Sequence, residues 1–195
     1  MPGKTLGGGR KRSRLSTALI VLAVIFGVGI PALRITGLVI PYRIPTGAMT
    51  PALSAGDHVI MEGFTFLARK PRAGDIVVFT TDGILGNPPE TVYVKRVAGT
   101  PGDRVRITDG QLFVNDRHLP LKNAQGEIHY LHSRGASLLT TDDETVTVPE
   151  GRCLVLGDNS ANSADSRYWG FVAAKKIKGR ISFCYWPPQN IGAAR

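Results

Sequence analysis

The sequence predicts an all-β fold, an antiparallel β-sandwich or irregular barrel, preceded by one N-terminal transmembrane helix. Three observations predict it. Short runs of β-branched and aromatic residues recur from residue 36 to the end of the 195. Turn signals separate those runs at close intervals. One uncharged apolar stretch stands ahead of them all. No stretch after it keeps a sustained 3.6-residue period, so strands are left as the framework.

The N-terminal stretch carries Lys4, Arg10, Lys11, Arg12 and Arg14 without an acid among them, more than half of the net charge of +9. Gly7-Gly8-Gly9 reads as disordered. Residues 15–33 then run without a charge, and a helix of that length, at ~1.5 Å per residue, spans roughly the hydrocarbon core of a bilayer. A cleaved secretory peptide has a shorter apolar core, about 7–15 residues, and a small-residue exit. Pro31-Ala32-Leu33-Arg34 offers no such exit. The expected organisation is a basic cytoplasmic tail (1–14), a transmembrane anchor (15–35) and an extracytoplasmic domain (36–195). Basic residues before the span keep the N-terminus inside and send the domain across. Nucleic acid is not an expected partner, because the basic residues are not interleaved with a recognition helix or stacking aromatics.

Within the domain, strands are expected at residues 59–61, 75–79, 92–98, 104–107, 112–114, 146–148, 153–156 and 181–186. Pro101-Gly102-Asp103, Asp109-Gly110 and Pro149-Glu150-Gly151 mark turns between them. Residues 123–143 are more polar and less periodic, an insertion or long hairpin rather than a second domain. Cys153 and Cys184 fall in separate strand runs on the exported side, where a disulfide is permitted. Each also sits among apolar neighbours as a buried small hydrophobe would. His58, His118, His129 and His132 lack acidic or cysteine partners at metal-ligand spacing. A zinc site and a Ser-His-Asp triad therefore lack support, and no cofactor is expected.

Four constellations carry chemistry. The first is Ile44-Pro45-Thr46-Gly47-Ala48-Met49-Thr50-Pro51-Ala52-Leu53, between the apolar segment and the first strand run. The second is Arg72-Ala73-Gly74-Asp75 leading into Ile76-Val77-Val78-Phe79. The third is the strand around Lys95, followed by Arg96-Val97-Ala98-Gly99-Thr100-Pro101-Gly102-Asp103. Read with period 2, Tyr93, Lys95 and Val97 share a face. A strand lysine taken alone is a solvated edge residue; one held between apolar neighbours loses hydration, its pKa falls, and its neutral amine becomes a general base. The fourth runs Gly157-Asp158-Asn159-Ser160-Ala161-Asn162-Ser163-Ala164-Asp165-Ser166-Arg167-Tyr168-Trp169-Gly170. It opens as a tight turn and lacks the alternating ligands and central glycine of a calcium loop.

Together, over about residues 42–179, these boxes resemble the type I signal peptidases, membrane-anchored serine proteases that remove signal peptides from exported proteins. That family reads Pro-Ser/Thr-Gly-Ser-Met-x-Pro-x-Leu in the first box, and Ala48 stands where its nucleophilic serine belongs. The resemblance implies Lys95 as general base and Ser163 as the hydroxyl that orients it. It implies an oxyanion hole from the Thr46 hydroxyl and the Ala48 backbone N–H, with Asp158, Asp165 and Arg167 as supports. Met49, Ile44 and Tyr42, with Trp169 and Trp186, are candidates for a substrate- or membrane-facing rim, with ordinary core as the alternative. The implied partners are preprotein signal peptides, the lipid bilayer and the export translocon; the implied location is the plasma membrane.

A methyl group does not attack a peptide bond, so binding without turnover is expected. Ala48 is open to three readings. The chain is a signal peptidase altered at its nucleophile, or a non-catalytic paralogue kept as a binding or assembly module, or a protease using Thr50 or Ser54 instead. The third is poor, because the nucleophile must lie within hydrogen-bond reach of its base. Self-cleaving serine–lysine repressors share related β architecture but carry a DNA-binding helical domain where this chain has an apolar span.

Overall fold

The structure is a computed structural model, and it describes residues 9–83 and 87–194. Most of the expected basic tail, with Gly7 and Gly8, lies outside the described residues, as do the side chains of Arg10, Lys11, Arg12 and Arg14. The chain divides into two compact units, Met1–Val39 and Ile40–Arg195.

The first unit is helical. Helix α1 covers Gly9–Val24, a π-helical turn covers Ile25–Gly29, and α2 covers Ile30–Ile35. The expected single helix is thus a continuous helical path in three pieces. Two glycines, Gly27 and Gly29, fall in the wide turn, and Pro31 follows at the start of α2, where its missing N–H leaves a backbone carbonyl one turn back without its usual donor. Among the described residues no helix is long and apolar enough to cross a membrane. Leu15, Leu19, Ile20, Phe26 and Val28 are exposed.

The second unit is antiparallel β. Its strands are β1 (Val39–Arg43), β2 (His58–Glu62), β3 (Ile76–Thr80), β4 (Val92–Gly99), β5 (Arg104–Thr108), β6 (Gln111–Val114), β7 (Arg117–His118), β8 (Lys122–Asn123), β9 (Gly126–Glu127), β10 (Val146–Thr147), β11 (Arg152–Leu156), β12 (Val172–Ala173), β13 (Ile177–Trp186) and β14 (Gly192–Ala193). The larger sheet runs β1-β2-β13-β3-β4-β11-β12, with β14 beside β13; the smaller runs β10-β5-β6-β7. Strands β8 and β9 form a separate hairpin. Two one-turn helices, α3 (Thr65–Ala68) and α4 (Ser166–Trp169), complete it.

Each expected strand is present, β13 starting four residues early at Ile177. Its first half, with Lys178, Gly179 and Arg180, does not look like a strand, but it lies between β2 and β3 and takes its structure from them. Strand β1 escaped because Pro41 breaks its pattern; proline is tolerated there because β1 is an edge. Of residues 123–143 only the short hairpin is regular, and the rest is loop.

Three buried clusters hold the domain. Ile44, Met49, Leu53, Val59 and Met61 pack with Val78 and Ile181. Val77, Phe79, Val97, Cys153 and Val155 form a second cluster. The third joins the smaller sheet to the larger through Val105, Ile107, Leu112, Leu154 and Leu156, and takes in Ile128, Tyr130 and Leu139 from the loop. Full burial of one such side chain contributes ~1.5–3 kcal/mol. Cys153 and Cys184 are both free and lie in different clusters, so the hydrophobe reading holds. Burial pushes the Cys153 thiol up to about 11.

Candidate active site

The turn that carries Ala48 is pinned at both ends. Ile44 N–H donates to Asp57 O at 2.8 Å and Ile44 O accepts from Gly56 N–H at 2.8 Å. Met49 and Leu53, 2% and 0% exposed, are sunk in the core. Between them Thr50 N–H closes on Gly47 O at 3.1 Å, so residues 46–48 stand out as a short, fixed rim. Asn159 reaches across from the fourth constellation: its N–H donates to Ala48 O at 3.1 Å and its Nδ2 to Gly47 O at 3.1 Å. The Ala48 N–H takes part in no hydrogen bond among the described residues.

Lys95 lies on β4 opposite Val77 of β3 and is 4% exposed. Burial lowers its pKa to about 8; the Asp165 carboxylate pulls the other way and the Arg167 charge adds to the lowering. Its Nζ donates to Ser163 Oγ at 3.0 Å, and Ser163 Oγ donates to Asp165 Oδ2 at 2.8 Å. The serine proton is thus committed to the carboxylate, so Ser163 can only accept from the lysine. A neutral Lys95 then keeps its lone pair for a proton arriving from elsewhere.

Behind this pair stands a buried ionic support. Arg167 Nε donates to Asp165 Oδ1 at 2.9 Å and Nη2 to Oδ2 at 2.8 Å, with both side chains 0% exposed. Asp165 also caps α4 by accepting from Arg167 N–H, and it accepts from Gly157 N–H at 3.0 Å. Asp158 is gripped by Arg96, Nε and Nη2 donating at 2.8 and 2.6 Å. Gly157 permits the close approach: a Cβ there would lie 2.1 Å from Ser163 Oγ and 2.6 Å from Ala48 O.

These parts open on a cleft of about 410 Å³ lined by Ile44 to Met49 on one side, Thr91 to Lys95 on the other, and Asn162 and Ala164 between. Strand β11 pairs with β4 only as far as Arg96, so beside Lys95 the β4 edge gives onto the cleft rather than onto another strand.

The sequence-expected residues are placed as follows. Thr46, Ala48 and Lys95 line the cleft, with Ser163 on the lysine and Asp165 and Arg167 behind it. Asp158 touches Arg96 rather than Lys95. Ile44 and Met49 line the cleft from within the core, and Tyr42 packs half-buried on that core. Trp169 packs near Phe79 and Tyr93, while Trp186 is exposed. Thr50 and Ser54 do not line the cleft.

Three groups escaped the sequence reading: Arg96, Asn159 and the loop around Leu131. Arg96 was legible in principle, since a strand residue beside a buried lysine points to the other face and here needs its own counter-charge. The loop gave no signal.

Two histidines do have acidic partners, supplied by the fold. His118 meets Glu127 at 2.5 Å, and His132 Nε2 meets Asp142 Oδ1 at 2.7 Å while its Nδ1 meets Leu139 O at 2.6 Å. With an acceptor on each nitrogen, His132 favours the doubly protonated ring, and its pKa is raised, chiefly by the Asp142 hydrogen bond, with Arg167 opposing. The stabilisation is therefore complete below the ordinary imidazole value and lost as pH rises through the higher folded value. His132→Asn is expected to lower Tm at about pH 5.5 and to leave it nearly unchanged at about pH 9. Equal losses at both would remove the imidazolium from the account.

Comparison with known proteins identifies the family. The family described as "Signal peptidase, peptidase S26" matches residues 15–186. A probable signal peptidase I-2 from Synechocystis sp. is 35% identical over 174 residues, 89% of this chain and 73% of that protein. Thylakoidal processing peptidase 1 of Arabidopsis thaliana is 38% identical over 157 residues, 77% of this chain and 43% of its own length. Signal peptidase IB of Staphylococcus aureus is 32% identical over 157 residues, 77% and 79% of the two chains. A solved signal peptidase I from Enterococcus faecalis superposes with a TM-score of 0.43 at 27% identity, covering 58% of this chain and 98% of that one. A match this long, to relatives this similar, places the chain in the signal peptidase family, peptidase S26.

Proposed function

We propose that this chain binds the signal-peptide region of exported preproteins in the cleft beside β4 and, with Ala48 at the attacking position, leaves it uncut. One observation carries the reading: the lysine, its orienting serine and the edge for an extended peptide are all kept, around a methyl group. An extended peptide adds to such an edge by main-chain hydrogen bonds, and the cleft walls select small side chains. Were a serine at position 48, neutral Lys95 would take its proton and return it to the leaving amine. The Thr46 hydroxyl and the residue-48 N–H would meet the oxyanion, and water activated by the same lysine would release the acyl group.

The proposal includes membrane anchorage through the helical path over residues 15–35. Support comes from its uncharged stretch, its exposed apolar side chains and the unbroken winding of α1, the π turn and α2. The N-terminus would then be cytoplasmic, with the domain on the far side of the plasma membrane.

The test is a fluorescent peptide spanning a small-x-small cleavage site, titrated with the full chain in detergent. Saturable binding in the range of about 1–100 μM, with the peptide recovered intact, is expected. Absence of saturation, or recovery of two fragments, would overturn it.

A further inference from the structure

The Arg167 guanidinium does more than pair with Asp165. Its Nη1 donates to Ser160 Oγ at 2.8 Å and to Leu131 O at 2.6 Å, and its Nη2 to Ser160 O at 2.9 Å. Ser160 Oγ accepts a second bond, from Leu131 N–H at 2.7 Å. Leu131 therefore both gives to the serine and receives from the arginine, and the three residues close a ring. Ser160 is 6% exposed. The loop on the far side is itself fixed, because Ile128, Tyr130 and Leu139 are buried in the cluster under the smaller sheet. One hydroxyl thus ties the loop, the arginine and the turn that leads three residues later to Ser163.

We propose that Ser160 is a positioning residue for Lys95: its hydroxyl locks the Arg167 fork to the loop, and the lock keeps Asp165, Ser163 and the lysine amine fixed and dry. The chemistry demands a hydroxyl. Two donors converge on one atom, and an alanine leaves Leu131 N–H without its acceptor and Arg167 Nη1 with Leu131 O and only the longer contact to Ser133 Oγ at 3.3 Å. Ser137 N–H and Leu138 N–H still hold the loop's far end to Arg167 O at 2.7 and 2.9 Å, so the loosening is local to Leu131, and water enters there. Burial is the main cause that lowers the Lys95 pKa, so hydration raises it. An Arg167 that drifts from Asp165 acts in the same direction, since the carboxylate then faces the ammonium unopposed.

The proposal rests on Lys95 as the base of this site, and its test needs neither peptide binding nor turnover. The full chain, carrying lysine labelled with ¹³C at Cε, is titrated in detergent by NMR, with Lys95→Met identifying the resonance. The parent is expected to titrate near about 8. Ser160→Ala is expected to raise the proton affinity of Lys95 at least about threefold toward an ordinary lysine, and Ser160→Thr to restore it. Ile107→Val, in the cluster that also buries Ile128, Tyr130 and Leu139, is expected to lower Tm and leave Lys95 in place. The proposal is overturned if Ser160→Ala lowers Tm without moving Lys95, if Ile107→Val moves it equally, or if Ser160→Thr fails to restore it. Should Ser160→Ala not fold, Ser160→Cys, with its weaker acceptor, must shift Lys95 upward in a folded chain; an unmoved resonance sinks the idea.

Discussion

Ala48→Ser is expected to turn the chain from a binder into an endopeptidase, cutting a preprotein at a small-x-small site that the parent leaves whole. The gain is expected to be large, roughly 10⁵-fold or more, the scale on which serine proteases lose turnover with their nucleophile. Nothing else needs to be built. The turn is anchored by Met49 and Leu53, its carbonyls at 47 and 48 are tied to Asn159, and the lysine beside it is already poised to accept a proton. The rate is expected to follow the neutral fraction of Lys95, rising with pH to about 8 and levelling above it. Gel analysis of preprotein processing reads the gain, and initial rates across pH read the base. A folded but inert serine variant would favour the paralogue reading, in which the site is kept for binding or assembly. Cleavage by the parent would show that the attacking group has been misplaced.

Arg167→Met is expected to cost about 3–5 kcal/mol of stability, which for a domain of this size lowers Tm by roughly 10 °C. The reason is the partner it leaves behind. Asp165 is 0% exposed and loses the fork that balances it, while its remaining donors, Ser163 Oγ and the backbone N–H groups of residues 157 and 167, are neutral. The guanidinium also holds Leu131 and Ser160, so the loop loses those ties as well. Asp165→Asn in the Arg167→Met background is expected to recover part of the loss, because no carboxylate is then left buried without its counter-charge. Thermal unfolding of the two variants measures this, and a loss below about 1 kcal/mol for Arg167→Met would mean that water reaches Asp165 and that the support is not closed.

The candidate site was legible in the sequence chiefly through the resemblance to the signal peptidases, because the boxes that carry it are local. The period of the strand placed Lys95 between Tyr93 and Val97, and the spacing in the fourth constellation kept Ser163, Asp165 and Arg167 within one short turn. The strands were legible for the same reason, each being a run of β-branched residues bounded by turns. What stayed hidden depends on distant partners. Leu131 is an unremarkable residue in a polar stretch until its amide meets Ser160, 29 positions away. The first half of β13 shows no strand pattern because β2 and β3 impose its conformation. Tyr42 and Trp169 give the same apolar signal whether they face a bilayer or a core, and composition has no term for direction.

The order of strands in the larger sheet also governs when a site can exist during synthesis. The Ala48 turn sits between β1 and β2, and Lys95 sits on β4, hydrogen-bonded to β3. In the finished sheet those two halves are joined through β13, the last long strand to be made, which fills the place between β2 and β3. Ser163, 68 positions after Lys95, comes late as well. A nascent chain that has emerged as far as β11 therefore owns nearly all its strands and no cleft. Contacts of such long range set the pace of folding, and peptide binding should first appear only after Ile177–Trp186 has closed the gap.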